Sequence, residues 1–165
     1  MTEEISRESK ISVISFVWLS ALSAFFVWLG VKIATHGGYA VVFDKTEYGS
    51  IREAILSLSV KCAADIAMFL TVTLAARPVI NVSVASAILA LRGTALGISA
   101  AFCAENAVSS VSVAMIISCA MVSVLLLLYT VLINRIKSGA AVRVGLYLLT
   151  TGAVSMMRLL TVMLL

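Results

Sequence analysis

The chain has 165 residues, 62% of them hydrophobic and 12% charged, and its twelve Lys and Arg against eight Asp and Glu give a formal net charge of +4. A soluble domain is about 45–50% apolar and about 25% charged, and one of about 150 residues still exposes about 30% of its unfolded surface. With a mean hydropathy of +1.13, the composition excludes a soluble globular domain, disorder, collagen, a coiled coil and a disulfide-stapled secreted domain. It implies an all-α, polytopic membrane helix bundle.

Residues 1–10, MTEEISRESK, read as a polar tail. The run 11–34 is apolar except for Lys32, and its length meets the roughly 20 residues that a spanning helix needs. It is longer than the roughly 7–15 residues of a signal-peptide core, and Glu3, Glu4 and Glu8 precede it, so it reads as an uncleaved first span. Residues 35–54 form the longest polar connection. His36-Gly37-Gly38 breaks the helix, and Tyr39, Phe43 and Tyr48 suit a membrane–water interface.

A second span is expected over 55–76. Arg77-Pro78 then marks a turn, because proline lacks an N–H and pushes the residue before it toward extended geometry. The third apolar run, 79–104, carries Arg92-Gly93 near its middle, a place where the helix is either continuous or broken into two halves. Residues 107–133 and 141–165 make the fourth and fifth spans, separated by a short basic turn with Arg135 and Lys137. One transmembrane domain over 11–165 therefore follows a short tail.

The basic residues stand singly at the edges of these runs and report topology. Arg7, Lys10, Arg77, Arg135, Lys137 and Arg143 fall on the N-terminal side, against Lys32, Lys45, Arg52 and Lys61 on the other. The bias places the tail and the N-terminus in the cytoplasm, and the 35–54 loop and the C-terminus outside. No basic cluster with interleaved aromatics points to nucleic acid. Cys62, Cys103 and Cys119 lie in apolar runs without metal-ligand spacing and read as small hydrophobes.

Three charges lie where lipid should forbid them: Asp65, Arg92 and Arg158. Each costs on the order of 2.5–3.5 kcal/mol at a bilayer centre unless it is compensated. Counting about 1.5 Å per residue from the nearest turn puts Asp65 about 17 Å, Arg92 about 21 Å and Arg158 about 22 Å deep. Asp65 and Arg92, on consecutive antiparallel spans, are expected to pair. Arg158 is then left without an acid at its depth and would snorkel toward Glu105 near the outer end of the third run. This layer reads either as an ion-pair lock on helix register or as a polar path or docking site.

Gly93 and Gly97 make a small-xxx-small pair that lets two helices approach closely, with packing inside the bundle as the ordinary use. Hydroxyls on spans three and four, Ser123 among them, are expected to bond their own helix carbonyls or a neighbouring helix. Catalytic chemistry finds no footing. His36 is the one histidine, no phosphate loop or nucleophile elbow is present, and Asp65 and Glu105 differ in depth by roughly 20 Å. No cofactor or metal is expected, and the chain reads as a non-enzyme.

Phe69-Leu-Thr-Val-Thr-Leu-Ala-Ala-Arg-Pro78 followed by Ala90-Leu-Arg-Gly-Thr-Ala-Leu-Gly97 resembles the stage II sporulation protein M family. There, too, a helix ends in a proline turn that leads into a Gly-rich third span of a five-span membrane protein. The fourth span departs from the family's pattern, since Val113-Ala-Met-Ile-Ile-Ser-Cys-Ala120 carries no proline. The resemblance covers residues 11–165. It implies a scaffold in the bacterial cytoplasmic membrane that acts in forespore engulfment and recruits two peptidoglycan-degrading partners, stage II sporulation proteins D and P. On that resemblance Arg92, Gly93 and Gly97 form a structural and docking element, membrane lipid is the surrounding partner, and a homo-oligomer is open. The alternative is the membrane subunit of a transporter, or a small channel, with a charged mid-membrane layer.

Overall fold

The computed structural model of the chain describes residues 2–36, 51–75, 78–105, 110–135 and 139–163. These form five helices: α1 (Thr2–His36), α2 (Ile51–Leu74), α3 (Pro78–Glu105), α4 (Ser110–Arg135) and α5 (Ala140–Met163). Four are long and apolar enough to cross a membrane, over Val13–His36, Pro78–Ala104, Val113–Arg135 and Ala140–Thr161. The chain is thus a multi-pass helical bundle. α2, at 24 residues, is as long as α5 and carries Arg52, Glu53, Lys61 and Asp65.

α1 starts at Thr2, so the expected polar tail continues the first helix instead of standing apart from it. Its 35 residues span about 52 Å, well beyond a hydrocarbon core of about 30 Å. The apolar part begins at Val13, and the helix is described as far as His36; the expected break at Gly37-Gly38 lies outside the described residues. α3 runs unbroken through Arg92-Gly93. Of the expected 35–54 loop, residues 51–54 instead open α2, while 37–50 fall outside the described residues, as does Arg77.

α1 lies along α3 and touches α4. α3 also packs on α4 and α2, α5 bridges α2 and α4, and α2 meets α4 across the middle. Each helix supplies part of the core: Leu19 from α1, Phe69 and Val72 from α2, Ala85 and Leu89 from α3, Val122 and Leu126 from α4, and Val154 from α5. The outer surface carries Trp18, Phe25, Trp28, Leu91, Leu148, Leu149 and Met163. A soluble protein rarely exposes so continuous an apolar surface, and acyl chains are the solvent that suits it.

The α1–α3 seam is backbone against backbone. A Cβ added at Gly97 would fall on the carbonyl oxygen of Val27 and 2.8 Å from the Val31 nitrogen; one at Gly30 would fall on the Thr94 carbonyl oxygen. At Gly93 the nearest atoms, the Phe26 Cβ and the Ser23 carbonyl oxygen, would lie 3.1 Å away. Between apolar helices in lipid there is no hydrophobic driving force, so association rests on close van der Waals contact. The Gly93–Gly97 pair provides that contact inside this bundle, and Gly30 answers it from α1.

The α2–α3 corner is closed by side chains. Pro78 opens α3 at a position where its missing N–H costs nothing. Asn81, one turn on, donates its Nδ2 to the carbonyl of Val72 at 2.7 Å. Val72 belongs to the last turn of α2, whose carbonyls have no partner within the helix. At the other corner the Val142 N–H donates to the Gly139 carbonyl at 3.1 Å and starts α5.

Candidate functional site

The intramembrane charges meet at one point. The Asp65 Oδ1 accepts from Arg92 Nη1 at 2.5 Å, and its Oδ2 accepts from Arg158 Nε at 3.0 Å and Nη2 at 2.9 Å. Asp65 is 2% exposed, Arg92 8% and Arg158 4%.

Their backbones do not lie at one depth. Measured from the corner side, Asp65 is about 14 Å along α2, Arg92 about 21 Å along α3 and Arg158 about 27 Å along α5. Side chains on a helix lean toward its N-terminus. α3 and α5 both begin at the corner side, so the two arginines lean back toward it. α2 runs the other way, so Asp65 leans to meet them.

The expected Asp65–Arg92 pair is present. Arg158, expected to lack an acid and turn toward Glu105, instead shares Asp65. Counting residues gave depths but ignored the lean of the side chains and the two acceptor oxygens of one carboxylate. Glu105 ends α3, and its side chain lies outside the described residues.

α4 completes the site. Arg92 Nε donates to Ser123 Oγ at 3.2 Å, and Ser123 in turn donates to the Cys119 carbonyl at 2.9 Å. Arg92 Nη2 lies 3.4 Å from that carbonyl and 3.3 Å from the Cys119 Sγ, and Nη1 also reaches Met68 Sδ at 3.4 Å. Cys119 therefore does more than pack as a small hydrophobe. Four helices each present polar groups to one buried centre. Periodicity in the sequence marks this: Phe69 and Val72 follow Asp65 at helical spacing, Leu89 and Ala85 precede Arg92, and Val154 precedes Arg158, all in the core.

No family model, curated protein or solved structure matches this chain. The site must be read from its own chemistry. Three N–H groups within 3.0 Å occupy both oxygens of Asp65. Three of the carboxylate's roughly four lone-pair sites are thus taken by arginines, and it acts as a brace. Two guanidinium charges against one carboxylate leave a surplus of one positive charge. Among the described residues no group of three or more His, Cys, Asp or Glu is placed to hold a metal ion.

Most other hydroxyls behave as lipid-buried hydroxyls should. Ser83, Ser86, Thr94, Ser99, Thr130, Thr150 and Thr151 each bond the carbonyl four residues back. An exception is Thr73, whose Oγ1 lies 2.5 Å from the Tyr129 hydroxyl and also bonds the Phe69 carbonyl. Phe69 and Tyr129 stack edge to face at 5.2 Å. This second polar tie between α2 and α4 was not foreseen, because hydroxyls on two distant spans carry no sign that they face each other.

Proposed function

We propose that the chain is a non-enzymatic integral membrane scaffold of the bacterial cytoplasmic membrane that recruits peptidoglycan-degrading enzymes during sporulation. The observation that carries this reading is the closed Asp65–Arg92–Arg158 brace. A scaffold needs a fixed arrangement of spans, and a buried ion triad tying α2, α3 and α5, with α4 through Ser123, supplies one. The resemblance of Phe69–Pro78 and Ala90–Gly97 to the stage II sporulation protein M family supports the biological setting. On this reading α2 is the fifth span, the N-terminus is cytoplasmic, and the partners carry their chemistry on the outer face.

The second reading is the membrane subunit of a transporter or a small channel. The surplus positive charge of the cluster favours it, since an anion crossing the bilayer needs a stabilising cation at mid-depth.

Purification in mild detergent from sporulating cells, with mass spectrometry of what co-purifies, separates the two. Single-anchor peptidoglycan hydrolases in the complex support the scaffold. A cytoplasmic ATPase or a solute-binding protein in their place overturns it and turns the cluster into a pathway to be tested by flux.

A further inference from the structure

A second polar site lies at the corner end of the bundle. A small cavity there is lined by Ala75 at the end of α2, Pro78 and Asn81 at the start of α3, Ile133 and Asn134 at the end of α4, and Arg143 on α5. Asn81 is 2% exposed. The Val72 carbonyl is an acceptor, so the Asn81 amide nitrogen must face it, and Nδ2 is spent there. Oδ1 is left buried without a hydrogen-bond partner. A buried acceptor without a partner costs about 1–3 kcal/mol, and Asn81 is one of the residues that line the cavity.

Arg143 gives the cavity a cation, and no acidic group pairs with it among the described residues. The α3 and α5 N-termini open at this same end, each with unsatisfied N–H groups and the positive pole of its dipole. The enclosed part of the cavity holds about one water-sized group, and the rest opens outward. Basic pockets between spans at the cytoplasmic surface are places where phospholipid headgroups bind.

We propose that this cavity binds a phospholipid headgroup that joins a phosphate to a hydrogen-bond donor. The phosphate sits in the open mouth on Arg143. The donor, a glycerol hydroxyl or an ethanolamine ammonium, enters the enclosed part and donates to Asn81 Oδ1. The acyl chains then run down the apolar surface of the bundle. The proposal is independent of the scaffold reading, because it uses none of the residues of the charge cluster.

The test is native mass spectrometry of the full chain released from detergent loaded in turn with phosphatidylglycerol, phosphatidylethanolamine and phosphatidylcholine. Phosphatidylethanolamine and phosphatidylcholine have the same net charge, but only the first has a donor. The expected result is one tightly retained phosphatidylglycerol or phosphatidylethanolamine, held about tenfold better than phosphatidylcholine. Arg143→Gln should lower the retention of all three lipids, whose phosphates it holds, and Arg143→Lys should restore most of it. Asn81→Leu removes the acceptor but also a helix cap, so Arg143, at the start of its helix, is the variant that decides.

Equal retention of phosphatidylethanolamine and phosphatidylcholine overturns the proposal, because Asn81 is then satisfied by water alone. Unchanged phosphatidylglycerol retention in Arg143→Gln also overturns it. Inorganic phosphate serves as the soluble rival. Displacement of the lipid by millimolar phosphate alone assigns the site to a free anion and sinks the lipid assignment.

Discussion

Arg158 lies 93 residues beyond Asp65 and sets two of its nitrogens, Nε and Nη2, on a single oxygen of that carboxylate. The other oxygen belongs to Arg92. This arrangement makes α2 dependent on two other helices. α2 carries four charged residues, Arg52, Glu53, Lys61 and Asp65, and its packing on α3 and α4 is sparse beside the α1–α3 seam. One carboxylate ties it to both α3 and α5.

Removal of that carboxylate should therefore be the most damaging single change in the bundle. Asp65→Asn leaves two buried guanidiniums without a counter-charge, and breaking a buried pair in this way costs about 3–5 kcal/mol. The midpoint of thermal unfolding in detergent should fall sharply. Replacing all three groups together, as Asp65→Leu with Arg92→Met and Arg158→Met, removes the charges as well as their attraction. Such replacements are often neutral or stabilising, so the triple variant should recover most of the lost midpoint. A triple variant as unstable as Asp65→Asn would show that the brace contributes more than the cancellation of its own charges.

The glycines predict a sharp contrast. At Gly97 any side chain meets the Val27 and Val31 backbone, which cannot rotate away. Gly97→Ala should force α1 and α3 apart and cost about 1–3 kcal/mol, the usual range for overpacking. At Gly152, also within a helix, nothing lies within 4 Å of an added Cβ. Gly152→Ala should be neutral or stabilise by up to about 1 kcal/mol through helix propensity. Equal effects at the two positions, read from unfolding midpoints, would rule out the tight α1–α3 seam.

The bundle was legible because apolar length and the single charges that punctuate it are properties of one segment at a time. The Arg77-Pro78 corner and the pairing of Asp65 with Arg92 followed for the same reason, since consecutive antiparallel spans share a turn. Counting residues along the fifth span gives Arg158 a useful depth but points it to Glu105, where the structure gives it Asp65. Its true partner depends on which way side chains lean and on which helices are neighbours, and neither is written in a local window. Gly30 was passed over because a lone glycine in an apolar run has no meaning until a second glycine pair is known to face it. Asn81 is the residue whose signal was stronger than the reading made of it: an amide in the first turn after the chain's one proline stands where a preceding helix needs its last carbonyls met.

Tyr129 and Thr73 offer a tie that can be measured by itself. Tyr129→Phe keeps the edge-to-face contact with Phe69 and loses only the hydroxyl. Thr73→Val loses the same hydrogen bond from the α2 side. Each should cost about 1 kcal/mol, and the double variant should cost less than the sum if the two hydroxyls act on each other. Strict additivity in a double-mutant cycle would mean that the two hydroxyls do not act on each other, with Thr73 held by the Phe69 carbonyl alone.

The last prediction concerns α2 and the sidedness of the chain. Thr35, at the end of α1, and Gly139, before α5, are both exposed. If α2 crosses the membrane, three helices lie between them and they face opposite sides. If α2 does not cross, two helices lie between them and they share a side. Among the described residues four helices are long and apolar enough to span, and the experiment asks whether α2, whose Asp65 is paired with Arg92 and Arg158, is a fifth. On the proposed orientation the turn around Gly139, with Arg135, Lys137 and Arg143, faces the cytoplasm. A membrane-impermeant maleimide applied to intact cells should then label Thr35→Cys at once and Gly139→Cys only after permeabilisation. The native cysteines sit part-buried within helices and should give a low background. The reverse labelling pattern would invert the orientation, and labelling of both from one side would remove α2 from the set of spans.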